Sequence, residues 1–435
     1  MEKKIYYNNG QAVILLSLFF LFISGAIVSG MIFSAISRTR IAREFPRSKQ
    51  SYFLGEAGAE DVAYRIMRGK NYDATEVLQL NGSSATIATT ENLATGATEI
   101  SAEADVGSNI RLAEIHLIPG TNALFSYGVQ VGNGGLEMEQ TSTVSGNVYA
   151  NGTIVGANNN AINGDAVSAE ATGLIDNVNI AGDAYAHTLI KSDIDEKAYY
   201  QSIDGATKVG GAACPNPNCF PGSPDQPNEP FPISDAKLDE WEQLAATTVI
   251  SSPCPYKITS AQSIGPAKIT CDVEIKGNFT VTLTGALWIT GNLTTKNNPI
   301  IRIDPSFGKK SLAIIVHDPA NELTSSKVDF QNSLVFEDSG TPGSYIFVAS
   351  RNRSSEAGGA EVAIMVGQSA SGALLVYAPH GEIALHQSTA LKEVTGYKIH
   401  LRNSTTVTYE SGLASMLFDF DPSGSYEIQR WWEDE

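Results

Sequence analysis

The sequence predicts a mainly β protein carried on one long N-terminal transmembrane α-helix, which is followed by a small antiparallel sheet and β-helix (solenoid) domains. Three observations point there. An uncharged apolar stretch lies near the N-terminus. A glycine followed by Asn or Asp returns every 18 residues, at Gly146, Gly164 and Gly182. Many short apolar runs, bounded by Gly, Asn, Pro or Asp, fill the C-terminal half.

The helix comes first. No Asp, Glu, Lys or Arg occurs from Ile5 to Ser37, and AVILLSLFFLFISGAIVSGMIFSAI (12–36) is almost wholly apolar. About 20 such residues cross a bilayer core, so this stretch spans it with some tilt. Gly25 and Ser29, then Gly30 and Ser34, are small residues four apart that would let another helix approach closely. Apolar residues continue at helical spacing through Ile66 and Met67, with Pro46 as an expected kink and Gly69 as an expected C-cap.

Next come SATIATT, TEISAEADV and IRLAEIHLI, which alternate as strands with one buried face. The repeat follows as VSGNVYAN, INGDAVSA and IAGDAYAH. Gly and Asn/Asp accept left-handed turn conformations cheaply, so they are read as corners of a β-helix. Residues 214–232 hold seven prolines and read as an exposed linker. Beyond it Ser234 should cap a helix with Leu238, Trp241 and Leu244 on one face, placed to close an open end of the solenoid. The expected organisation is 1–10 leader, 11–70 helix, 71–135 sheet head, 136–212 coils of period 18, 213–247 linker and capping helix, and 248–435 solenoid. Trp431 and Trp432 are expected to cover the last coil.

The four cysteines are Cys214, Cys219, Cys254 and Cys271. An even count in an exported protein reads as disulfides, and short loops close most easily, which favours Cys214–Cys219 and Cys254–Cys271. A four-thiolate zinc site is the rival, though Cys254 and Cys271 supply no second knuckle. The formal net charge of −18 argues against nucleic acid as a partner.

The start MEKKIYYNNGQAVILL resembles the short, basic, glycine-ended leader of a type IV prepilin, and SKQSYFLGEAGAEDVAYRI is similar to the segment that follows the membrane helix in PilX-type minor pilins. The resemblance stops near residue 70. It implies cleavage by a prepilin peptidase between Gly10 and Gln11, pilin-like subunits as partners, and an ectodomain outside the cytoplasm. Typical major pilins carry Phe or Met and then Glu at the first and fifth mature positions, where this chain has Gln11 and Leu15. Counted alone, Arg38, Arg40, Arg43, Arg47 and Lys49 after the span would favour the opposite orientation.

No HExxH, GxSxG or phosphate-loop pattern occurs. The histidines His116, His187, His317, His380, His386 and His400 read as strand and turn residues. Asp304, Asp318, Asp329 and Asp338 lie near strand ends and could form the acid–base set of a membrane-tethered, polysaccharide-cleaving enzyme, one alternative function; a plain envelope scaffold outside any pilus is the other. DFDPSGSYE (419–427) begins like a calcium loop but has Arg430 at the twelfth position. The leading expectation is a non-enzymatic, single-pass surface protein without cofactor, catalytic or metal residues, structural or adhesive, with a glycan or another surface ligand as its target.

Overall fold

A computed structural model describes residues 9–67, 72–91, 98–119, 125–157, 159–367, 369–386, 388–410, 413, 417–418 and 426–434. Helix α1, Asn9–Met67, is continuous, and the side chains from Val13 to Ile32 are exposed throughout. It is long and apolar enough to cross a membrane. Pro46 lies inside it without ending it. The donor lost there belongs to a solvent-exposed stretch, where water can serve the freed carbonyl. Gly69 lies outside the described residues.

The outer half of α1 packs on a five-stranded antiparallel sheet of β1 (Thr75–Leu80), β2 (Ser83–Glu91), β3 (Thr98–Asp105), β4 (Ile110–Pro119) and the terminal strand Tyr426–Asp434, in that order. Leu54, Ala59, Val62, Ala63 and Ile66 bury against Ile87, Ile100, Ile115 and Leu117. The small residues of the GEAGA segment have a steric cause. A Cβ on Gly55 would meet the Ala102 carbonyl at 3.2 Å, and one on Gly58 would meet Ile87 at 3.0 Å. The terminal strand was not expected here. Trp431 pairs with Ile115 and Trp432 with Glu114, so their backbone belongs to the head sheet and not to the last coil. Residues 120–425 are therefore inserted between two adjacent strands of one sheet.

The insertion is a stack of parallel strands around one apolar core. Val148 pairs with Ala166, and Ala166 with Ala184, each 18 residues on. The strands Val129–Met138, Val148–Ala150, Ala166–Ser168, Ala184–Ile190, Leu174–Asp176 and Ile154–Gly156 close a ring of six parallel pairings. The ring closes because the two long strands round a corner and serve two faces. Two arms of the chain build the stack. In one, pairing rises from Tyr256–Ile258 through Val273–Lys276, Leu293–Lys296, Val328–Phe330 and Val362–Val366. It continues through Leu374–Leu385 to Glu393–Leu401. That last strand then pairs with Val129–Met138 of the other arm, Val394 opposite Val129 and Leu401 opposite Met138. The second arm carries the stack onward to Cys219–Pro221.

The corners explain the repeat. Asn147 Oδ1 accepts the Asp165 amide at 2.9 Å, Asp165 Oδ1 the Asp183 amide at 2.9 Å, and Asp183 Oδ1 the Lys197 amide at 3.0 Å. Asp272, Asn278 and Asn292 repeat the device in the other arm, serving Asn292, Asn298 and Lys327. Each side chain satisfies a backbone donor one rung away that the strand ladder leaves open. The glycine is required by closeness more than by its dihedral. A Cβ on Gly164 would stand 2.6 Å from Asn147 Oδ1, and one on Gly182 2.4 Å from Asp165 Oδ1. Only the first glycine of the repeat, Gly146, has positive φ.

Helix α2, Asp235–Ala245, is capped as expected, with the Ser234 hydroxyl accepting the Lys237 amide at 3.2 Å. It lies along the flank of the stack and covers no end. Leu238 and Trp241 pack on Ala313, Ile315, Phe347 and Tyr377, while Leu244 is exposed. The outward residues of these strands are apolar, and this side needs a lateral cover more than the end needs a cap. Gly182→Ala should lose about 1–3 kcal/mol through overpacking at the corner. Gly205→Ala, with no atom within 4 Å of the added methyl and no positive φ, should be near neutral. Denaturant titration of the two variants checks this.

Candidate functional site

Three places on the stack gather functional side chains. The first is the proline-rich strap that precedes α2. It runs back down the stack, and each rung holds it by side chains. Gln201 donates to the Ser223 carbonyl at 2.7 Å, and His187 Nδ1 lies 3.0 Å from Asp225. The Glu170 amide donates to the Gln226 carbonyl at 2.8 Å. Tyr149 Oη donates to the Pro227 carbonyl at 2.5 Å. Asn151 pairs with both backbone groups of Glu229, at 2.8 and 2.9 Å, and Gln130 donates to the Pro230 carbonyl at 2.9 Å. Tyr377 Oη, from the other arm, donates to the Ile233 carbonyl. Prolines lack amides, so a strap read mostly through its carbonyls suits this sequence.

The second place is a polar seam under α2. Ligand-type atoms of Asp239, Glu242 and His317 lie within 4.8 Å of one another. Arg351 occupies their centre. Its Nη1 donates to Asp239 and to Glu242 Oε1 at 3.1 Å, and stands 3.2 Å from His317 Nδ1. His317 also faces Glu242 at 2.7 Å and Glu322 at 3.0 Å. A guanidinium where a cation would sit makes this a buried ion-pair network and a poor metal site. His380 extends it to Asp235 at 2.9 Å and Glu356 at 2.8 Å.

The third is a groove of about 580 Å³ on the outside of the longer arm. Its floor is a row in register, Glu274, Thr294, Asp329 and Met365, and its walls include Asp272, Asn292, Lys296, Lys327 and Glu361. Two of its four carboxylates are paired with lysines and the other two with amides. Lys296 meets Glu274 at 3.1 Å and Lys327 meets Glu361 at 2.7 Å. Asp272 accepts the Asn292 amide at 2.7 Å, and Asp329 accepts Gln331 at 2.6 Å. The Lys296 hydrogen bond holds the Glu274 carboxyl below its usual range.

Of the four aspartates that suggested an acid–base set, only Asp329 reaches this groove. Asp304, Asp318 and Asp338 accept the amides of Ser306, Ala320 and Gly340 and so tie turns. Sequence reasoning missed Glu274 and Glu361, whose shared face depends on rungs of different length. It also missed Arg351. The disulfides are Cys214–Cys219 and Cys254–Cys271. An added Cβ at Gly25 or Gly30 would meet nothing within 4 Å, and Ser29 is exposed. Gly10 and Gln11 have helical backbone, but their side chains, that of Ser34, and the Asp419–Gly424 loop lie outside the described residues.

Neither a protein-family model nor a curated protein matches this sequence. Among solved structures, that of the competence-associated pilin ComZ from Thermus thermophilus is similar at 11 % identity and a TM-score of 0.30, over 89 % of this chain and 97 % of that one. Likeness at that level transfers no residue roles.

Breaking the seam tests its part in holding α2. Arg351→Met leaves Glu242, 3 % exposed, as a buried charge without its guanidinium, and should cost about 3–5 kcal/mol. Adding Glu242→Leu should recover much of that. Denaturant unfolding, with proteolysis of the α2 segment as a local readout, measures both.

Proposed function

We propose that this chain is a non-enzymatic cell-surface protein, a PilX-like, pilin-like subunit or accessory factor of a type IV pilus-like assembly, displaying a β-helical ectodomain with a structural or adhesive role. The observation that carries the reading is α1 with its head. Its first half exposes apolar side chains over a membrane-spanning length, and its second half holds a small antiparallel sheet through small residues. The prepilin-like leader ending at Gly10 joins this helix directly. Two disulfides suit an oxidising compartment outside the cytoplasm. Parallel pairing at a fixed step and the corner ladder support a β-helix for the stack. Small residues Gly25, Ser29, Gly30 and Ser34 are the proposed helix-packing face toward neighbouring pilin-like subunits. The ligand of the long lateral surface is proposed to be a glycan or another surface polymer.

The groove favours one second reading, a membrane-tethered enzyme acting on polysaccharide, because carboxylates line it. Their pairing with lysines and amides weighs against it, since a general acid needs a raised pKa and Glu274 is shifted the other way.

Mass spectrometry of protein sheared from cell surfaces tests the assignment. The mature chain should begin at Gln11 in filament material, and a bulky residue in place of Gly10 should abolish that start. An intact Met1 confined to membranes would remove the pilus reading.

A further inference from the structure

We infer that Glu393 is a protonation-operated latch on the seam where the two arms of the stack join. The inference stands on the ectodomain alone and goes beyond the display function proposed above. Glu393 begins the strand that pairs with Val129–Met138, and its neighbour Val394 is the first residue across that seam. Its side chain has no exposed area. One carboxyl oxygen takes a hydrogen bond from the Thr395 hydroxyl, and the other has no partner among the described residues.

Among the described residues no cation serves it. The adjoining Lys392 is committed to Glu410, which also receives the Tyr345 hydroxyl at 2.8 Å. From the strand Leu374–Leu385, Tyr377 faces it but donates to the Ile233 carbonyl. From the segment after the last corner, Tyr409 donates to the Phe125 carbonyl at 2.8 Å. From α2, Asp235 faces Tyr377 and is itself engaged by His380. A fully buried carboxylate with no cation among the described residues beside it is too costly to hold, so the closed seam holds the neutral acid. Burial correspondingly pushes the Glu393 carboxyl well above its usual range.

The sign follows from proton linkage. The folded chain keeps a proton that the unfolded chain releases at an ordinary carboxyl pKa. The stability tied to that proton is complete below the unfolded value and is lost as pH rises toward the folded one. Ionisation sends the proton to solvent and draws water to the carboxylate, which opens the rungs on either side. The latch would therefore hold the stack most firmly in acidic surroundings and progressively less firmly as pH rises.

Hydrogen exchange on the full-length, detergent-solubilised protein tests this. After correction for base-catalysed chemistry, protection in 129–138 and 393–401 should fall by about tenfold or more between about pH 6 and about pH 9, while 273–296 holds. Glu393→Gln keeps the Thr395 contact and should be flat over that range. The same pH dependence in both proteins would overturn the latch. Should the glutamine variant not fold, infrared spectroscopy decides. A protonated carboxyl band in the wild type near neutral pH, shifted in Thr395→Val, supports the latch, and the absence of such a band overturns it.

Discussion

The inserted stack depends on one set of backbone pairings, that between Glu393–Leu401 and Val129–Met138. These strands are over 250 residues apart in the chain, since Thr143 and Thr406 are partners on the adjoining face. Without the seam there would be two short stacks, each with an open parallel edge. With it, one apolar core runs from Ile258 to Val209. A stack of rungs contacts only its neighbours, so its cooperativity is limited by the weakest interface. A seam that must also close a long loop is the natural candidate for that interface.

Strap and α2 act on that weakness. The strap touches nearly every rung of the shorter arm and then crosses to Tyr377 of the longer one. From there α2 carries the tie downward through Trp241 and the Arg351 network. Individually such contacts contribute little, about 0.5–1.5 kcal/mol for an ordinary hydrogen bond. Their placement in series along the axis makes opening of the seam require detachment of the strap as well. The buried ion network gives register to α2 more than stability, because its desolvation offsets most of its attraction.

Much of this was legible in the sequence for reasons that are local. An uncharged run, a capping serine, cysteines close in the chain and a glycine–Asn/Asp pattern each report on a neighbourhood of about one rung. The pattern itself was read through glycine's conformational freedom, whereas Gly164 and Gly182 are needed because side-chain oxygens of the rung below lie where a Cβ would be. Other features escaped because they are long-range. Nothing near Trp431 says that its strand returns to β4, and nothing in the corners at Gly277–Asn278 and Gly291–Asn292 says which outward residues share a groove. α2 shows the boundary of such reasoning. Its apolar face was placed correctly at Leu238 and Trp241, yet position 244 is exposed and Glu242 is buried, since a partner arginine at 351 changes what that face can hold.

The insertion point determines how the stack can bear load. Pro119 and Tyr426 are register partners at one end of β4 and the terminal strand, so both tethers of the stack leave the head together. Tension on the stack then pulls two neighbouring strands in the same direction. It shears β4 against β3, while the terminal strand is held through its pairing with β4. Shear loads a whole ladder of backbone bonds at once, and here eight residues of β4 pair with the terminal strand on one side and eight with β3 on the other. A single tether at the chain's end would concentrate the same force on the last pair. The architecture of an inserted stack is thus suited to bearing load applied between α1 and the stack.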